Sequence, residues 1–333
     1  MKGNFHTILP MKAFITGGTG FIGSHLIEFL LDKGIEIYAL IRDIDDLKWL
    51  KGLNINLLEG DLFSIPPIPA DIDYIFHIAG FTKASKSADY YTVNQQGTAS
   101  LFQSLESQQI LPKKVIYLSS IAAAGPSFEK KPVKEDDPPH PTTPYGQSKL
   151  MGEREALNFK DVYPVVIVRV CAVFGPRDRD FLHYLNIIKR GILPSLSSQQ
   201  KLLSLCYIKD LIQALDLCSQ KELESGEIIN VADPRPYSWD EFGEAAGKAM
   251  GKALKRVRIP HFVLYLGALI SEIGGMVSRK PSIFDRDKYR EMKEAAWIAD
   301  VRKATEKLSF SPQYTLQEAI QETIDWYLNN NWL

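Results

Sequence analysis

Cysteine is scarce: Cys171, Cys206 and Cys218 are the 3 cysteines in 333 residues. None sits in a C-x-x-C pair, so no disulfide framework is expected, and a reduced, cytoplasmic setting is the simplest expectation. No Cys/His cluster at zinc-like spacing is visible, and no metal is expected. Neither sign of charge dominates, with 39 Lys plus Arg against 40 Asp plus Glu. That balance, without a basic tract, speaks against nucleic acid as a partner. No uninterrupted apolar run reaches transmembrane length. The stretch Met1 to Pro10 lacks the apolar region of a secretory signal. Met11 is an alternative start, which makes residues 1–10 an N-terminal extension.

What is present is an ordinary globular composition, 45% hydrophobic and 24% charged, long enough for one large or two medium domains. The most informative stretch is Thr16-Gly17-Gly18-Thr19-Gly20-Phe21-Ile22-Gly23. An apolar run, Ala13-Phe14-Ile15, precedes it as a strand, and Ser24 to Leu31 follows with apolar residues at helical spacing. Between strand and helix, such a turn lets backbone N–H groups approach a diphosphate, and the helix N-terminus adds partial positive charge. The glycines fit Gly18-x-Gly20-x-x-Gly23 and also Gly17-x-x-Gly20-x-x-Gly23.

Further strands are predicted at Ile35–Ile41, Asn56–Leu62, Asp73–Gly80 and Val115–Leu118. The second ends in Arg42-Asp43. An acid there suits the ribose of NAD, whereas Arg suits the 2′-phosphate of NADP. Arg42 favours NADP, with NAD the alternative because Asp43 stands beside it. Asp61 is placed to meet the adenine amino edge, with Leu62 on the ring, although both also fit an ordinary turn. Ala79 and Gly80 leave room for ribose and phosphate. His77 reads as a packed strand histidine without chemistry. Tyr91 to Leu105 is expected to be a helix, and a proline-punctuated loop leads to Tyr145-Gly146-Gln147-Ser148-Lys149.

Tyr145 and Lys149 share one face of a helix. A tyrosine titrates near pH 10, and a neighbouring ammonium lowers that value. Tyr145 then serves as general base when an alcohol is oxidised and as general acid when a ketone is reduced. The Ser120 hydroxyl is placed to hold the substrate oxygen.

The joint pattern resembles the extended short-chain dehydrogenase/reductases, the family of NAD-dependent epimerase/dehydratases. Its motifs are Thr16 to Gly23, Gly60-Asp61-Leu62, His77 to Gly80, Val93-Asn94 with Gly97-Thr98, Ser119-Ser120, Tyr145 to Lys149 and Arg169 to Asp178. It continues through Cys206 to Asp210 and Ile229 to Asp233, and covers nearly the whole chain after Met11. The resemblance extends to the 3β-hydroxysteroid dehydrogenase-like and dihydroflavonol reductase-like branches. It implies Ser120, Tyr145 and Lys149 as the catalytic set, with the roles of Ser119 and Ser120 exchangeable. It implies a cofactor held by Gly17, Gly20, Phe21, Ile22, Gly23, Arg42, Asp61, Leu62, Ala79, Gly80, Tyr145 and Lys149. Thr82 and Ala172 are candidates at the substrate.

The expected fold is α/β, a doubly wound parallel sheet of the Rossmann type with a smaller, mostly helical C-terminal substrate domain. Residues 11–175 form the dinucleotide-binding domain, with 206–231 returning to it, and 176–205 with 232–333 form the substrate-binding domain. In the family, two helices often pair with their copies in a dimer. Here these are Ala88–Leu105 and Tyr145–Phe159, and Tyr90, Leu101, Phe102 and Leu105 would supply apolar contacts in a homodimer. Phe262 to Val277 is strongly apolar and reads as a core helix of the lid, a substrate wall or a membrane-surface contact.

The first functional expectation is an NAD(P)-dependent oxidoreductase interconverting a secondary alcohol and a ketone on a small molecule of apolar or mixed polarity. Ala172 stands where nucleotide-sugar enzymes usually carry Asn, and Val170 where proline is frequent. A nucleotide-sugar epimerase or dehydratase is the alternative, and a non-catalytic NAD(P)-sensing protein is the alternative of another class.

Overall fold

The computed structural model describes residues 10–195, 201–260, 262–263, 265–266, 269, 290, 294 and 296–333. Nearly all of the N-terminal extension and most of the apolar stretch 262–277 lie outside the described residues.

Seven strands form a parallel sheet: β1 (Lys12–Thr16), β2 (Glu36–Ile41), β3 (Asn56–Glu59), β4 (Tyr74–His77), β5 (Lys114–Ser120), β6 (Val165–Val170) and β10 (Glu227–Val231). Their spatial order is β10-β6-β5-β4-β1-β2-β3. The order reverses between β1 and β4, and a crevice opens there at the carboxyl ends of the strands. The central strands β4, β5 and β6 are near-continuous buried apolar runs, as a sheet covered on both faces requires.

Alternation along the strands divides the core. Ile15, Phe76, Ile116 and Val168 pack on one face with Leu26, Ile27 and Leu30 of α1 (Phe21–Asp32). On the other face, Phe14, Ile75, Val115 and Ile167 pack with Leu101, Phe102 and Leu105. That second packing corrects the expected dimer contacts. Leu101, Phe102 and Leu105 are 0% exposed and Tyr90 is 6% exposed, so all four are spent inside the subunit.

The helix expected from Tyr91 to Leu105 is three pieces. α2 (Ser87–Tyr91) runs into a π-helical turn, Thr92–Gln96, and then into α3 (Gly97–Ser107). After β5 come α4 (Ile121–Ala124) and α5 (Pro144–Leu157). Thr143 caps α5 by accepting the Gly146 N–H at 3.2 Å, and Pro144 occupies its first turn.

α7 (Ile208–Gln220) packs beside α1 on the sheet, and beyond it lie α6 (Asp180–Lys189), α8 (Trp239–Ala249) and two terminal helices, Arg302–Leu308 and Leu316–Asn329. Small sheets join this helical region. β9 (Leu202–Tyr207) pairs with β7 (Ala172–Phe174), β11 (Pro236–Ser238) and β13 (Ala296–Trp297). β8 (Ile192–Ser195) pairs with β12 (Lys255–Arg258). Capping boxes at Ser238/Glu241 and Thr315/Glu318 start two of the helices. Arg177 fastens this region to α1, donating to Ser24 Oγ at 3.0 Å and Glu28 Oε1 at 2.7 Å.

All three cysteines are buried free thiols. Burial pushes Cys171 and Cys218 up to about 12, so neither is poised as a thiolate. Among the described residues, no helix is long and apolar enough to cross a membrane.

Candidate active site

The crevice is built first from backbone. Gly17 has φ 77°, and a Cβ there would lie 2.6 Å from the Ala79 nitrogen. A side chain at Gly23 would run into the Gly17 carbonyl. Gly20 donates its N–H to Gly17 O at 3.1 Å and serves as a helix cap without a side chain. The first N–H groups of α1, from Phe21, Ile22 and Gly23, have no acceptor within the helix. They point where the helix field favours an anion. Phe21 and Ile22 therefore offer backbone donors, while their side chains pack on the core. The geometry fits a dinucleotide: a cradle that any Cβ would fill, at the strand-order reversal.

Thr16 and His77 brace this cradle. Thr16 Oγ1 lies 2.7 Å from His77 Nδ1 and accepts from the Ala79 N–H at 3.2 Å. His77 Nε2 lies 3.0 Å from Thr98 Oγ1. Burial, with help from the Lys149 charge, pushes His77 down to about 3, so it is neutral and structural. This agrees with the packed role expected of it.

Arg42 and Asp43 are both exposed at the end of β2, and Asp43 accepts the Asp45 N–H at 2.8 Å. Asp61 and Leu62, the pair expected at the adenine, follow β3. Asp61 Oδ1 closes a turn, accepting from Phe63 and Ser64 N–H at 2.8 and 2.9 Å. Leu62 is 8% exposed and packs into the core, where a Cβ on Gly97 would meet its Cδ1 at 2.6 Å. Its side chain is part of the core.

Asn94 is a site residue that the sequence motifs contained but did not single out. It is 1% exposed on the π-helical turn. Its Oδ1 accepts the Phe81 N–H at 2.7 Å, and its Nδ2 donates to Phe81 O at 3.0 Å and Ser148 Oγ at 2.8 Å. Asn94 thus joins the loop after β4 to α5. The usable signal is a polar residue within a helix whose side chain must satisfy a neighbouring backbone. π-turns recur at functional sites for such reasons.

Ser119 and Ser120 end β5 in different environments. Ser119 is buried and donates to Glu153 Oε1 at 2.6 Å. Ser120 is half-buried, and its Oγ accepts the Ala122 N–H at 3.2 Å. Of the pair, Ser120 is the one not committed to the interior.

On α5, Tyr145 is half-buried, with its ring 6.0 Å from that of Tyr90. Lys149 is 4% exposed and donates from Nζ to Leu118 O at 2.7 Å. The same Nζ sits 4.4 Å over the Tyr117 ring. Burial pushes this ammonium down to about 7, and Glu153 opposes the shift. A Cβ on Gly80 would come within 3.6 Å of Lys149 Nζ, so the end of β4 and the lysine meet. Thr82 lies exposed two residues beyond Gly80, and Ala172 is half-buried at the start of β7. A separate open groove of about 610 Å³, lined by Asp233, Arg235, Tyr237, Tyr314 and Gln317 among others, contains none of these residues.

Fold and site together define a nicotinamide-dinucleotide enzyme of the short-chain type. The chain belongs to the NAD dependent epimerase/dehydratase family, whose model matches residues 13–232. It is similar to a ceramide reductase of Caulobacter vibrioides, 26% identical over 96% of this chain and 95% of that protein. It is also similar to an uncharacterized UDP-glucose epimerase of Bacillus subtilis, 28% identical over 94% of this chain and 97% of that protein. Among solved structures, UDP-glucuronic acid 4-epimerase from Bacillus cereus in complex with NAD superposes with a TM-score of 0.77. It is 22% identical and covers 97% of this chain and 100% of its own. Similar solved structures that name a bound dinucleotide name NAD. None of these relatives is a 3β-hydroxysteroid dehydrogenase or a dihydroflavonol reductase.

Proposed function

We propose that this chain is an NAD-dependent enzyme that oxidises a carbinol carbon of a nucleotide sugar and restores its cofactor within the same turnover. The observation that carries the oxidation step is the buried Lys149 ammonium, one helical turn from Tyr145 and beside the end of β4. Nucleotide sugar replaces net alcohol–ketone interconversion as the first reading because nucleotide-sugar epimerases and dehydratases recur among the similar proteins.

The residues divide the work. The Gly17–Gly23 turn and the first N–H groups of α1 hold the diphosphate. Ala79 and Gly80 leave space for the ribose, and Lys149 holds its hydroxyls. A bound nicotinamide supplies the hydride acceptor and donor. Tyr145 takes the substrate hydroxyl proton as the carbon is oxidised and returns a proton when it is reduced. The positive charge of Lys149 lowers the tyrosine's pKa for that task. Ser120 donates a hydrogen bond to the substrate oxygen and steadies charge on it. Residues 176–205 and 232–333 supply the substrate-binding side. NAD replaces NADP as the favoured cofactor. Arg42 is exposed and stands beside an acid, and several similar structures are complexes with NAD.

A second reading is net reduction of a ketone on a long apolar molecule. Two observations favour it: Ala172 in place of an asparagine, and the similarity to a ceramide reductase. A non-catalytic sensing role has less support, since Ser120, Tyr145 and Lys149 are all retained.

The test is product analysis after incubation with NAD and a panel of UDP-glucose, UDP-glucuronic acid and dTDP-glucose. A parallel assay follows NADH and NADPH absorbance with aliphatic ketones. Conversion of a nucleotide sugar without net NADH supports the first reading. Steady loss of reduced cofactor with a ketone, and intact nucleotide sugars, overturns it in favour of the second.

A further inference from the structure

Glu153 lies one turn beyond Lys149 and two turns beyond Tyr145 on α5, and it is 1% exposed. Its carboxylate accepts three hydrogen bonds. Ser119 Oγ reaches Oε1 at 2.6 Å, Arg169 Nε reaches Oε1 at 2.9 Å, and Arg169 Nη2 reaches Oε2 at 2.7 Å. Ser119 and Arg169 are register partners on adjacent strands β5 and β6, so both side chains leave the sheet on the side of α5. The pair therefore ties the helix to two strands at one point. Arg169 is 3% exposed.

A pair this deep is a poor source of stability, because desolvation offsets most of the attraction. Apolar side chains of similar volume would hold the helix as firmly. They would not fix its rotation and height, since apolar contacts tolerate sliding. A slip of one residue along a helix moves it about 1.5 Å and turns it about 100°. Such a slip would carry Tyr145 and Lys149 away from Ser120. The three-way hydrogen-bonded carboxylate permits one register only.

We propose that Glu153 is the positioning residue of this site: gripped by Ser119 and Arg169, it sets the Tyr145–Lys149 helix against the strand that ends in Ser120 and places a negative charge one turn from Lys149. The assignment rests on the roles given above to Tyr145, Lys149 and Ser120. The grip also extends outward. Arg169 Nη1 donates to Glu135 O at 3.4 Å, and Glu135 Oε1 accepts the Asn230 N–H at 2.9 Å. Asn230 Nδ2 donates to Val133 O at 3.0 Å. The segment leading to α5 is thereby held by the same network.

The charge argument depends on what surrounds Lys149. From β5 it faces the Tyr117 ring and the Leu118 carbonyl. His77 of β4 interacts with it and is neutral. From its own helix the Glu153 charge acts on it, and the end of β4 meets it at Gly80, where Asn94 also approaches. Glu153 is the carboxylate in this set, and Arg169 behind it is the other fixed charge. Glutamine at position 153 leaves two buried cations and no anion.

The experiment titrates Lys149 directly in the protein without added ligand. Lysine is labelled at ¹³Cε, and the Lys149 signal is assigned by its loss in Lys149→Met. The wild-type midpoint is expected at about 7. Glu153→Gln is expected to lower it by about one pH unit, the scale of losing one charge at this separation in a protein interior. Glu153→Asp keeps the charge but shortens the reach, so its midpoint stays near wild type while NADH affinity falls about tenfold. If Glu153→Gln does not fold, Glu153→Asp alone decides through NADH affinity. An unchanged Lys149 midpoint in a folded Glu153→Gln, or wild-type NADH affinity in Glu153→Asp, overturns the proposal. Lys149→Met separates this failure from that of the functional reading. If Lys149→Met binds NADH normally, the role given to Lys149 fails, whereas the titration of Glu153→Gln still reports on the positioning residue.

Discussion

Two strand–helix units of the same sheet, separated by one strand, build their sites from different material. At β1–α1 the site is backbone: glycines at fixed spacing, a Gly17 φ of 77°, and unpaired N–H groups at a helix start. At β5–α5 it is side chains: Tyr145, Lys149 and Ser120 with Asn94, Glu153 and Arg169 behind them. A backbone site depends on the absence of Cβ atoms, so substitution there should disturb binding. A side-chain site depends on protonation and register, so substitution there should disturb chemistry.

The largest effect is expected at Tyr145. Tyr145→Phe keeps the ring and loses the hydroxyl, so turnover should fall about a hundred- to ten-thousand-fold. NADH affinity, read by tryptophan fluorescence, should change less than about threefold if the dinucleotide is held chiefly by the α1 end. Near-wild-type turnover by this variant would remove the proposed mechanism.

Gly17→Ala should show the opposite pattern. The new Cβ would meet the Ala79 nitrogen at 2.6 Å, in a backbone conformation that alanine avoids. Strain of about 1–3 kcal/mol is expected, and NADH affinity should fall about ten- to a hundredfold. Folding should persist by circular dichroism. Normal NADH binding would show that the cradle lies elsewhere.

His77, on the strand between these two units, braces them. Its folded-state pKa is about 3, below the ordinary 6.5, because burial disfavours the charged ring. The unfolded chain therefore binds the extra proton first as pH falls. The stabilising contribution is complete above pH 6.5 and is lost progressively as pH falls toward 3. His77→Gln should lower stability at pH 7 by about 1–3 kcal/mol, since Thr16 and Thr98 lose buried partners. It should also flatten the fall in Tm between pH 6.5 and 4.5. A parallel pH dependence in both proteins would show that His77 is not the group responsible.

The smallest effect is expected at Arg42. With the side chain exposed, Arg42→Ala should change the ratio of NADH to NADPH affinity less than about threefold, a limit set by solvent screening. A loss of marked NADPH preference would restore Arg42 as a phosphate reader.

The same division explains what was legible in the sequence. The strand–turn–helix at Thr16–Gly23 was readable because glycine spacing states a backbone requirement directly. The parallel sheet followed from short apolar runs alternating with helical patterns. At Asp61 and Leu62 the sequence left an adenine contact and an ordinary turn side by side; the structure shows the turn, closed by one carboxylate oxygen, with the leucine packed in the core. Leu101, Phe102 and Leu105 looked available for a partner because periodicity marks an apolar face without saying what covers it. Here the sheet of the same subunit covers it. Asn94 was not singled out because a π-turn has no local sequence signature. The choice between Ser119 and Ser120 also waited on a partner, since Glu153 lies 34 residues beyond Ser119 in sequence.

The central claim is that a carbon of a nucleotide sugar is oxidised and then reduced within one turnover. The most direct measurement uses a nucleotide sugar carrying deuterium at C4, incubated with the protein and unlabelled NAD. Mass spectrometry then follows both the sugar and the dinucleotide pool. The account predicts a changed sugar that retains its deuterium, with no net gain of reduced dinucleotide. Deuterium accumulating in free NADH, or an untouched sugar alongside steady reduction of a ketone, would contradict it.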